Sequence, residues 1–202
     1  MIYSIISINA SLITVVTALI TALISPIIVE FIKVKVINKK HTCALGESIK
    51  IDEKVDMQLE LLMKELECDR ICISQFHNGG NFYPTGKSIA KFSIMYEVVG
   101  AGITSVQSNF RNIPVNLFSR SINQLLESDT IEIPDYKDET VATFGLKYIA
   151  EDTGCKSGYL FAIKTIEGKF IGTLGLDFTK RKTKLDMESI NHLQQHSASI
   201  GG

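Results

Sequence analysis

Charge is missing from the start of this chain: between Met1 and Val29 there is no Lys, Arg, Asp or Glu, so all 43 charged side chains fall in the remaining 173 of 202 residues. An excess of either sign is missing too. The 21 Lys and Arg stand against 22 Asp and Glu, and a formal net charge of -1 argues against a chain that holds nucleic acid by its electrostatic field. Several catalytic signatures are absent: no phosphate-binding glycine loop closed by Lys-Ser/Thr, no nucleophile elbow and no paired cysteines at zinc spacing. Cys43, Cys68, Cys72 and Cys155 show no metal-type pairing, and free thiols are the expected state. Neither an enzyme nor a bound cofactor is expected.

What is present first is a long apolar run. Ile5 to Ile32 reads IISINASLITVVTALITALISPIIVEFI, and about 20 apolar residues in a helix cross a hydrocarbon core roughly 30 Å thick. Residues 1–33 are therefore expected to form a transmembrane anchor, 34–50 a linker and 51–202 a soluble domain. No basic residue precedes the run and no small-x-small cleavage site ends it, which argues against a removable signal peptide. Lys33, Lys35, Lys39 and Lys40 follow it closely, so the positive-inside rule predicts an inner-membrane, single-pass protein with its head in the cytoplasm and these lysines at the membrane surface. The lipid bilayer is then one partner. Thr14, Thr17 and Thr21 on one helical stripe offer a face for homo-oligomer formation.

Beyond the linker, Ile51, Val55, Leu59, Leu62, Met63 and Leu66 recur at helical spacing and predict an amphipathic helix over Ile51 to Leu66. Arg70 to His77 alternates as a strand. Asn78 to Asn81 then read as a turn, before a second strand over Ser88 to Val99. A helix is predicted over Asn112 to Leu126, a short strand over Thr130 to Pro134 and a helix over Val141 to Asp152. Ser157 to Ile166 and Lys169 to Phe178 are β-rich runs joined by Glu167-Gly168, a hairpin signal, and Leu185 to Ile200 predicts a terminal helix. The order describes an α+β domain with an antiparallel sheet of about five strands and flanking helices.

The second half of this domain resembles a GAF domain, the small sensor fold related to PAS. The resemblance rests on a short helix ending in GCKS (Gly154 to Ser157), the strand GYLFAIKTI, the Glu167-Gly168 turn, the strand FIGTLGLD (Phe170 to Asp177) and a closing amphipathic helix. It implies a GAF/PAS-like sheet and a non-catalytic sensor or interaction module binding a small molecule or a protein partner at the membrane surface. The loop FHNGG (Phe76 to Gly80) followed by NFYPTG looks like short membrane proteins encoded by bacteriophages. One span ahead of an α/β head is also similar to a phage holin, which implies, as the alternative, a lysis protein with a regulatory soluble head.

The most suggestive polar group is His77, Asn78, Gly79 and Gly80, where glycines permit close backbone approach and His and Asn offer hydrogen bonds to a ligand. Phe82, Tyr83 and Tyr96 are expected to line a ligand pocket beside it. His192 and His196 share a face of the terminal helix, but HLQQH lacks the glutamate that a zincin helix places after its first histidine; they read as surface histidines, and no metal is expected. Asp135, Asp138 and Glu139 read as a solvated loop. Lys180, Arg181, Lys182 and Lys184 form a basic run that suits either a solvated turn or anionic headgroups.

Overall fold

The computed structural model describes residues 26, 29, 30, 33 and 44–201, except 83 and 139–143. It divides into two units, Met1–Asp52 and Glu53–Gly202. Elements run in the order α1 (Ala44–Glu65), β1 (Arg70–Asn81), β2 (Ser88–Val99), β3 (Ile113–Pro114), a 3-10 turn (Val115–Phe118), α2 (Ser119–Ser128), β4 (Thr130–Ile133), α3 (Phe144–Thr153), β5 (Ser157–Lys164), β6 (Phe170–Phe178) and α4 (Met187–Gly201).

The strands form one sheet in the order β3-β2-β1-β6-β5-β4. Every pairing is antiparallel. Side-chain alternation along the strands then builds two cores. On one face Ile71 and Ile73 of β1, Tyr159, Phe161 and Ile163 of β5, and Leu174, Leu176 and Phe178 of β6 meet Leu59 and Leu62 of α1, Leu66 just after it, and Leu193 of α4. On the other face Ile131 and Ile133 of β4 and Ala162 of β5 meet Leu125 of α2 and Leu146 and Ala150 of α3. Each fully buried Leu, Ile or Phe contributes about 1.5–3 kcal/mol of transfer free energy, so both helical layers are fastened by the strands' alternation.

Glycines in β6 make the strand contacts possible. A Cβ on Gly172 would sit 2.1 Å from the Ser74 carbonyl oxygen, so only a bare Cα lets β1 approach there. The β5–β6 hairpin turns at Glu167-Gly168 as expected: Gly168 takes φ +80° and its N–H donates to the Thr165 carbonyl at 2.8 Å.

Two local expectations change. The Asn78 to Asn81 segment, expected as a turn after a strand ending at His77, continues the strand, because β2 pairs with it through Asn78 opposite Ala90 and Asn81 opposite Ser88. Gly80 at φ +94° accommodates the irregularity between Asn78 and Asn81, and the connection itself falls beyond Asn81. The helix predicted from Asn112 begins at Ser119 instead, since Ile113 and Pro114 pair with Phe92 and Lys91 of β2 and Pro114 holds an extended ψ of 126°.

The transmembrane expectation is corrected. Among the described residues no helix is long and apolar enough to cross a membrane. The expected span 1–33 lies outside the described residues except for Pro26, Val29, Glu30 and Lys33, and Lys35, Lys39, Lys40 and the threonine stripe lie outside them as well. The long helix that is described, α1, carries Glu47, Lys50, Asp52, Glu53, Lys54, Asp56, Glu60, Lys64 and Glu65, a charge density that a hydrocarbon core rejects. The preceding transmembrane helix, the single-pass inner-membrane localisation, the bilayer as partner and oligomerisation through a membrane helix are therefore without structural support. The basic run also has partners within the protein: Lys180 pairs with Asp69, Arg181 with Glu67 and Lys182 with Asp135.

Candidate functional site

Between the sheet and the layer of α2 and α3 the packing leaves a cavity of about 100 Å³. Its floor is the sheet face carrying Cys72, Ser74 and Phe76 of β1 and Thr173, Gly175 and Asp177 of β6; its roof includes Phe118, Ile122, Leu125, Leu146 and Ile149. The space exists partly because Gly175 has no side chain. A Cβ there would come within 3.2 Å of both the Cys72 sulfur and Leu160 Cδ2.

The lining is mostly apolar, with polar groups at defined points. Ser74 and Thr173 hydroxyls bond to each other at 2.7 Å across the β1–β6 pair. Asp177 supplies the charged end. Its Oδ2 accepts a hydrogen bond from Arg70 Nη1 at 2.9 Å, while its side chain keeps 21% exposure. Arg70 is 1% exposed; its Nη2 donates to the Thr104 carbonyl at 2.8 Å, and its Nε lies 3.3 Å from Glu97 Oε1 without hydrogen-bond alignment. Glu97 is held in place by the Val106 N–H at 2.9 Å, the Gln107 N–H at 3.0 Å and the Ser105 hydroxyl.

One buried guanidinium thus faces two carboxylates, and Glu97 has three further donors of its own. Burial pushes the Asp177 carboxyl above the usual range more strongly than Arg70 pulls it down. Arg70 itself shifts upward: burial opposes the charge, but Asp177 outweighs it, and the guanidinium stays charged. Burial likewise lifts the Tyr136 phenol, with Asp177 adding to the effect. Cys155, whose sulfur is 3.8 Å from Arg70 Nη1, is pushed up to about 12 by burial and by Asp177. Cys72 is raised by the same causes. These thiols are free and protonated, placed as lining rather than as nucleophiles.

Of the seven residues expected to bind ligand, the six that are described do not line this cavity. His77 falls on the opposite strand face by alternation, its Nε2 2.9 Å from the Ser93 hydroxyl. Tyr96, opposite Ile73, packs into the α1/α4 core. Asn78 accepts the Gly80 N–H at 2.9 Å, closing a local turn of its own side chain, and a Cβ on Gly79 would strike the Lys91 side chain at 2.7 Å. Phe82 is exposed at the hairpin end, and Tyr83 lies outside the described residues. What sequence reasoning missed is Arg70 and Asp177. The available signal was a charge at the end of an otherwise apolar strand, in RICIS and again in LGLDF.

Among the described residues no group of three or more His, Cys, Asp and Glu side chains is placed to hold a metal ion. Asp135 bonds Lys182 and the Lys137 N–H, and Glu139 lies outside the described residues.

No family model and no curated protein matches the chain. Solved structures do. A phycocyanobilin-bound GAF domain from a cyanobacterial phytochrome superposes with a TM-score of 0.59 at 14% identity, over 81% of this chain and 88% of that one. A far-red cyanobacteriochrome photoreceptor gives 0.59 at 12% identity over 83% and 94%. A GAF domain from Synechocystis in its photoproduct state gives 0.56 at 14% over 74% and 90%. At such identities the likeness establishes the fold, which is GAF-like: an α+β unit with an antiparallel sheet and flanking helices. These relatives in fold are cyanobacterial photoreceptor domains, neither phage membrane proteins nor holins, and the bacteriophage and holin-like expectations are corrected accordingly.

Proposed function

We propose that the GAF-like unit is a non-catalytic sensor module that holds a small, largely apolar ligand in the cavity between the sheet and α2/α3. The observation that carries this reading is the cavity itself: an apolar space with a half-buried carboxylate of raised pKa at one end is the usual form of a small-molecule site. The photoreceptor GAF domains it resembles in fold support a sensor rather than an enzyme. One of those domains binds phycocyanobilin. A space of about 100 Å³ is smaller than the cavity of roughly 150 Å³ that takes a benzene, so this chain's ligand is far smaller than that pigment. Asp177 selects for a ligand with an N–H or O–H donor on its apolar body, because a partly desolvated carboxylate gains most from a donor.

The full chain should bind 2,2,2-trifluoroethanol, a small apolar body with one O–H donor, saturably at millimolar concentration in a fluorine NMR titration, with Gly175→Val losing that binding while remaining folded by circular dichroism. Binding that is absent from the wild type, or unchanged in Gly175→Val, overturns the proposal.

A further inference from the structure

A second chemical feature lies on the opposite side of the sheet from the cavity. His192 and His196, one turn apart on α4, bring their Nε2 atoms to 3.1 Å from each other. The rings are 4.6 Å apart at 76°, so the nitrogens converge without the rings stacking. The Nδ1 of His192 lies 3.2 Å from Oε1 of Glu65, the last residue of α1.

The Glu65 carboxylate facing Nδ1 at 3.2 Å favours the tautomer of His192 with its proton on Nδ1, and in that neutral ring the lone pair sits on Nε2 and points at His196. Two imidazole nitrogens at the usual distance of about 2.05 Å from one ion stand 3.1 Å apart when the angle at the ion is about 98°. That value lies between the roughly 90° of tetragonal coordination and the roughly 109° of tetrahedral coordination. The surroundings favour a cation: Glu65, Asp186 and Glu188 line the surface hollow that His192 enters.

We propose that His192 and His196 form a two-histidine site for a divalent transition ion of the Cu²⁺ or Zn²⁺ class, with Glu65 of α1 acting as a positioning residue for His192. Water completes the coordination, since no third side chain among the described residues is placed to join. Without an ion, Nε2 of His192 accepts from Nε2–H of His196. Metal binding replaces that proton, which moves through solvent to Nδ1 of the same ring, while His192 keeps its own proton on Nδ1, facing Glu65. A bound ion polarises Nδ1–H of His192 and strengthens its attraction to the Glu65 carboxylate 3.2 Å away, so occupancy ties the terminal helix to the end of α1.

The test is calorimetric titration of the metal-free full chain with CuCl₂ and, separately, ZnCl₂, together with the Cu²⁺ electron paramagnetic resonance spectrum. Saturable 1:1 binding is expected, tighter for Cu²⁺ than for Zn²⁺, with nitrogen hyperfine structure from two imidazoles. His192→Ala and His196→Ala should each lower the affinity at least about tenfold, and Glu65→Gln by about 10–100-fold, the usual effect of losing a carboxylate behind a metal-bound histidine. Both histidines are partly exposed, so the variants are expected to fold, and thermal melts without metal verify it. His77→Ala should bind as the wild type does. Unchanged binding in the His192→Ala/His196→Ala double variant, or no saturable binding of either ion to the wild type, overturns the site. Unchanged affinity in Glu65→Gln overturns the positioning role.

Discussion

Replacing Arg70 by Met keeps most of the side-chain volume and removes the guanidinium that faces both Asp177 and Glu97. Arg70 is 1% exposed and bonds Asp177 at 2.9 Å and the Thr104 carbonyl at 2.8 Å, so the substitution leaves a carboxylate and a carbonyl without their donors. Removing one partner of a buried ion pair costs about 3–5 kcal/mol. For a unit the size of Glu53–Gly202 that corresponds to a fall in Tm of about 6–20 °C. Urea unfolding and calorimetry at pH 7 and pH 5 measure it. The sign of the pH dependence follows from Asp177, whose carboxyl burial already raises and which loses its opposing charge in the variant. A carboxyl with a raised folded-state pKa binds more protons folded than unfolded, so its contribution is fully present below the unfolded value and is lost as pH rises through the folded one. The deficit of Arg70→Met relative to wild type is therefore expected to be largest at pH 7 and smaller at pH 5. A variant within about 1 kcal/mol of wild type at pH 7, or one with the same deficit at both values, refutes the reasoning.

Asp69 gives the opposite slope. Burial opposes its ionisation, but the N–H groups of Lys180 and Thr179 and the Lys180 ammonium hold its carboxyl below the usual range, so its stabilisation is present above the unfolded value of about 3.9 and is lost as pH falls through the folded one. Asp69→Asn should lower stability at neutral pH by about 1 kcal/mol or more and flatten the acid limb of the stability curve; an unchanged acid limb counts against it. Cys68 and Cys155 are pushed up to about 12 by burial first and Asp177 second, and Cys72 is raised likewise. At pH 8 iodoacetamide should leave all three unlabelled in the native protein and label them in urea, as read by mass spectrometry. Equal rates in both states would contradict the burial.

Local pattern was informative where a single element carried it. The stripe through Leu59, Leu62 and Leu66 marks the buried face of α1, and Glu167-Gly168 marks the β5–β6 turn, because each depends only on neighbours within a few residues. Strand existence was equally legible in the alternation of Ile71 and Ile73 and of Leu174 and Leu176. Asn78-Gly79-Gly80 misled because its turn propensity is outweighed by cross-strand pairing with β2, a gain that is invisible until the partner strand is known. The helix expected from Asn112 failed for the same reason, through the pairing of Ile113 with Phe92. Length and absence of charge in the apolar run at the N-terminus predict a membrane anchor, and among the described residues the structure offers no helix to support it.

The candidate sites separate the two levels more sharply. By itself the sequence determined the α+β order of elements, the near neutrality that disfavours nucleic acid, and the packing glycines of FIGTLGLD. Only the tertiary structure decided that Gly175 opens a cavity against α2 and α3, that Arg70 and Asp177 meet from positions 107 residues apart, and that Glu65 reaches His192 from another helix. The physical reason is that periodicity records which face a side chain takes within its own element, whereas a site is made by side chains from different elements. Their juxtaposition is set by sheet order and register, and those follow from long-range pairing rather than from any local run of residues.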